Sequence, residues 1–76
     1  MSYRLQHAQD CLFQAFTMAH DEELKTLIAE VGLALEVGFV EHTIAPLTEL
    51  EKYIKKEPAV VSFTVDCVNY YLDVLP

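Results

Sequence analysis

His7 and Cys11 are four residues apart, so on a helix they share one face. Imidazole and thiolate at that spacing could form half of a metal site, and Asp10 is adjacent. Two ligands do not close such a site. A third and fourth would have to come from His20, Glu41, His42 or Cys67. No Cys/His quartet with zinc spacing occurs, so no metal and no cofactor is expected, and His7 reads as a surface residue beside a half-buried Cys11. Cys11 and Cys67 are the only cysteines and form no Cys-x-x-Cys; they read as free thiols in a reducing compartment.

Other reactive side chains carry little more. Glu41-His42 falls near the end of a long apolar segment, where an imidazole can interact with a helix C-terminus or titrate near neutral pH. Tyr70-Tyr71 points two phenols to different faces of a helix, with Tyr70 the interface candidate. Two glycines in the whole chain cannot build a phosphate-cradling loop, and no nucleophile elbow is present. No catalytic residue is assigned, and no enzymatic activity is expected.

The elements that position these residues follow from hydrophobic period. Between Ser2 and Ala19, Leu5, Ala8, Leu12, Ala15, Phe16 and Ala19 recur at helical spacing, with Phe13 off the stripe as a candidate interface anchor. Asp21 suits an N-cap, and Glu22 and Glu23 suit the first turn that follows it. Leu24, Leu27, Ile28, Val31, Ala34, Leu35 and Phe39 then form a wide apolar face. On the opposite side Leu33, Val37, Val40 and Ile44 form a second stripe, as in an interface helix. Pro46, with Thr43 or Ala45 before it, fits the first turn of a short helix bearing Leu47, Leu50, Tyr53 and Ile54 inward. Glu49 with Lys52 and Glu51 with Lys55 are spaced to pair along it. Pro58 opens the last segment, Ala59 to Leu75. There Ser62, Asp66, Asn69 and Asp73 make a polar stripe between two apolar ones, the first through Val61, Val65, Val68, Leu72 and Leu75, the second through Phe63, Cys67, Tyr70 and Val74.

The fold expected is an all-α bundle of three or four helices in a single domain over residues 1–76, dimeric through Phe13, Leu33, Val37, Val40, Ile44, Phe63 and Tyr70. An α+β alternative places short strands around 31–40 and 60–68, where β-branched and aromatic residues alternate with smaller or polar ones. The helical reading is preferred because the polar stripe of the last segment continues to Asp73 after the alternation fails.

Composition limits the partners. The chain has 76 residues, 53% apolar, with 12 acids, 5 bases and a formal charge of −7. So short a domain cannot easily bury every large apolar side chain, and the excess marks an interface. Phosphate affinity comes from Lys and Arg, so direct binding to nucleic acid or to an anionic membrane is not expected. A basic protein partner fits, and so does a nucleic-acid mimic if acids from several helices share one face. A bundle holding a small ligand or metal between its apolar faces is the third alternative. The first residues contain no apolar h-region, and Val31–Val40 is short for a bilayer and contains Glu36, so a cytoplasmic protein is expected.

Overall fold

A computed structural model describes residues 3–73. The expected helix ends at Ser2, Val74 and Leu75 lie outside the described residues. Among the described residues four helices occur: α1 (Tyr3–Met18), α2 (Glu22–Val37), α3 (Ile44–Glu49) and α4 (Pro58–Asp73). Turns of 3-10 helix, Val40–Thr43 and Leu50–Tyr53, flank α3. No strand occurs among the described residues, so the segments proposed as strands at 31–40 and 60–68 are instead mostly helix. Ser62, Asp66, Asn69 and Asp73 are all exposed, as a helical polar stripe requires. Thr64 is fully buried, and its hydroxyl donates to the Val60 carbonyl (2.8 Å), a partner that helical backbone places within reach.

α1 packs against both α2 and α4. Its buried stripe contains Ala8 and Ala15, small side chains that allow close helix approach, and Ala19 is buried just beyond its end. Leu12, Leu24, Ile28, Val31, Leu35, Leu50, Val60, Val61 and Val68 complete the core with Tyr53 and Cys67.

The α1–α2 turn is held from two directions. Asp21 caps α2, its Oδ1 accepting from the N–H of Glu23 (2.9 Å) and Leu24 (3.4 Å). Across the fold, Glu57 accepts from the His20 N–H at Oε1 (2.8 Å) and from the Asp21 N–H at Oε2 (3.0 Å). Those N–H groups precede α2 and have no helical acceptor of their own. Lys56 adds an ion pair with Asp21 at 3.5 Å. The Glu57 carbonyl also accepts the first helical bond of α4, from Val61 (3.1 Å), with Pro58 at the position where a missing N–H costs nothing.

The expected long middle helix is shorter. Gly38 adopts the left-handed conformation (φ 84°) and terminates α2. Its N–H donates to Leu35 (3.2 Å), and the Phe39 N–H donates to Ala34 (3.1 Å), the paired bonds of a Schellman cap. Phe39, expected on the core face, therefore lies beyond the helix and is about half exposed. The stripe from Leu33 to Ile44 is divided likewise: Leu33 and Val37 stay on α2, Val40 enters the 3-10 turn, and Ile44 starts α3.

The short helix begins two residues before Pro46, and Thr43 does not cap it. Its hydroxyl donates instead to the Val40 carbonyl (2.7 Å). Ile54, expected inward, is half exposed. In a 3-10 turn residues three apart eclipse, so Leu50 and Tyr53 share the buried side and Ile54 rotates outward. The Glu49–Lys52 pair forms at 2.8 Å.

Candidate functional site

α1 and α2 are consecutive helices joined by a short turn, and an open groove of about 840 Å³ runs between them. Leu12, Phe16 and Ile28 contribute its apolar lining. Phe13 from α1 and Leu33 from α2 stand on its two walls, 68% and 64% exposed. Both occupy the faces of their helices away from the main stripe, which is why neither reaches the core.

A polar contact ties the two walls. Gln9 on α1 donates through Nε2 to the Gly32 carbonyl on α2 (2.8 Å). A Cβ at position 32 would lie 3.0 Å from Gln9 Oε1, so glycine permits this close approach. Asp10 and Glu36 also line the groove. Gln6 donates to Asp10 (3.1 Å), holding that carboxylate along α1. Among the described residues no Lys, Arg or His lines the groove. Lys25 stands over the Phe16 ring at 5.6 Å and pairs with Glu22 at 3.9 Å.

Of the seven expected interface residues, Phe13 and Leu33 meet at this groove. Val37 follows Leu33 by one turn and is exposed, Val40 is half-buried, and Ile44 is exposed on α3. Phe63 packs against the core from α4. Tyr70, also on α4, rests on the His7 ring, centroids 4.7 Å apart. His7 and Phe13 are six residues apart, so they project from α1 about 120° apart. Tyr70 and Phe13 therefore lie on different sides of α1. Gln9 and Gly32, which fix the groove, carried only a weak signal in the sequence: a glycine inside a helical pattern can mark close approach.

The α1–α4 contact holds the thiols. Burial pushes the Cys67 thiol up to about 12, and the neighbouring Cys11 thiol adds to the effect. Cys67 is thus a protonated core side chain rather than a thiolate nucleophile. Among the described residues no three His, Cys, Asp or Glu side chains are grouped to hold a metal ion. His42 lies beside the Phe39 ring at 5.2 Å.

A second, smaller depression is bordered by Glu23 and Glu30 from α2 and Glu49 from α3, with Lys52 and Tyr53 among them. The Tyr53 hydroxyl donates to Glu23 (3.0 Å). Burial, then this bond, pushes the phenol up to about 12. The hydrogen bond to Glu49 raises the Lys52 ammonium, so part of this acidic border is already paired. No helix among the described residues is long and apolar enough to cross a membrane. Comparison with protein-family models, with curated proteins and with solved structures finds no match for this chain.

Proposed function

We propose that this chain is a non-catalytic protein-interaction module that receives an apolar helix of a partner in the α1–α2 groove. The observation carrying this reading is the placement of Phe13 and Leu33, two large and mostly exposed apolar side chains, on facing walls of one groove. Large apolar side chains gathered in this way mark interaction surfaces, whereas scattered ones do not. A small-molecule pocket encloses most of its ligand's surface, but these walls are open to water. An extended ligand such as a helix suits an open groove better. A mimic of nucleic acid is less favoured, because a base, Lys52, stands among the acids bordering the second depression and pairs with Glu49.

Affinity capture from the native cell extract tests this reading, comparing the wild type with Phe13→Glu combined with Leu33→Glu. Both side chains are exposed, so the double variant should keep its helical circular dichroism. The wild type should retain a partner that the double variant loses. Capture insensitive to the two substitutions would remove the groove from the function.

A second reading, pairing of two copies, is supported by Val37, Phe39 and Ile44. These are each half or more exposed and lie outside the groove lining.

A further inference from the structure

The occupant of the groove can be specified further, on the premise that the groove receives a helix. Its polar boundary is one-sided in charge. Asp10 contributes a carboxylate from α1 and Glu36 another from α2. The Gln9–Gly32 bond shows which parts of the helices face each other: the N-terminal half of α1 meets the C-terminal half of α2. Both acids belong to that half of the groove, on either side of its apolar lining. Lys25, near Phe16 toward the other end, is paired with Glu22. A second copy of the chain is a poor occupant, because it carries the same excess of 12 acids over 5 bases.

We propose that the groove binds an amphipathic helix of a different protein, with an apolar stripe seated between Phe13 and Leu33 and Lys or Arg flanking that stripe opposite Asp10 and Glu36. The apolar contacts supply adhesion. The flanking cations supply orientation and discrimination, as opposed charges at an interface rim do. An acidic helix of the same apolar pattern meets uncompensated repulsion at both rims.

The test uses two synthetic helical peptides of about 18 residues, five turns, with one apolar stripe and either Lys or Glu at the flanks. Each is titrated into the full chain while backbone amide shifts of Phe13 and Leu33 are followed. The Lys-flanked peptide should bind about fivefold or more tighter, the scale of two exposed ion pairs. Asp10→Asn with Glu36→Gln should erase that preference. Asp66→Asn with Asp73→Asn, the same charge change on the exposed stripe of α4, should leave it intact. Equal binding of both peptides overturns the basic-helix inference while the docking function stands. A preference lost equally in both double variants also overturns it, since only overall charge would then be read. Neither peptide shifting the amides at about 1 mM overturns both readings, because that limit excludes all but the weakest binding. A dimer in the peptide-free chain that Phe13→Ala dissociates assigns the groove to a second copy and overturns the inference.

Discussion

Glu57 links three parts of the chain through one carboxylate. It accepts the N–H groups of His20 and Asp21, and its own carbonyl starts α4. The His20 N–H is the largest cause holding this carboxyl below its ordinary value of 4.5, with the Asp21 N–H adding to it. A lowered carboxyl stabilises the fold above the unfolded value, and that contribution disappears as pH falls through the folded value. Glu57→Gln should therefore unfold at lower urea concentration than the wild type at pH 7. The difference should shrink as pH falls from 4.5 through the lower folded value, because the wild-type carboxyl then becomes neutral as well. Urea midpoints measured from pH 7 to pH 3 check this. A constant difference across that range would show that the charge on Glu57 contributes nothing. The His20 imidazole, although 3.3 Å from Glu57, is almost fully exposed and adds little through its charge.

One glycine lies within α2 and the other ends it, and the same substitution separates their roles. Gly38 holds φ 84° at the Schellman cap with open space around its Cα, so an added methyl meets no neighbour but the backbone is strained. Gly38→Ala should cost about 1–2 kcal/mol, the penalty of a left-handed non-glycine residue. Gly32 is in ordinary helix, where alanine gains about 1 kcal/mol in propensity. Here the methyl would crowd Gln9 Oε1 at 3.0 Å. In a Gln9→Ala background, Gly32→Ala should recover that full propensity gain; with Gln9 present it should recover less. A double-mutant cycle from thermal unfolding measures the difference, and strict additivity would show that Gln9 adjusts without loss. These positions also show what the sequence could and could not reveal. The helical periods of α1 and α4 were legible because polar and apolar residues repeat through four turns. Gly38 was legible only as a weak helix former, because a Schellman cap depends on backbone bonds made after the glycine. Phe13 and Leu33 could be recognised as standing off the core stripes. That they border one groove follows only from the pairing of α1 with α2. Glu57 gave no local signal, since its partners lie 36 and 37 residues away.

At the scale of the whole molecule, the charge of −7 gives the two association modes opposite responses to salt. A basic helix approaching the groove is attracted by Asp10 and Glu36 and by the surrounding acids. Two copies meeting through Val37, Phe39 and Ile44 must instead bring like net charges together. The screening length falls from about 10 Å at 0.1 M salt to about 3 Å at 1 M, so both the attraction and the repulsion fade over that range. Apolar contact in either interface persists. Binding of the Lys-flanked peptide should therefore weaken as sodium chloride rises from 0.1 to 1 M, toward the affinity of the Glu-flanked one. Self-association, measured by sedimentation at tens of micromolar, should strengthen over the same range and be lost in Val37→Glu. A monomer throughout would remove the second copy as a partner. Peptide binding that strengthens with salt would make the groove a purely apolar surface, with no part for its two carboxylates.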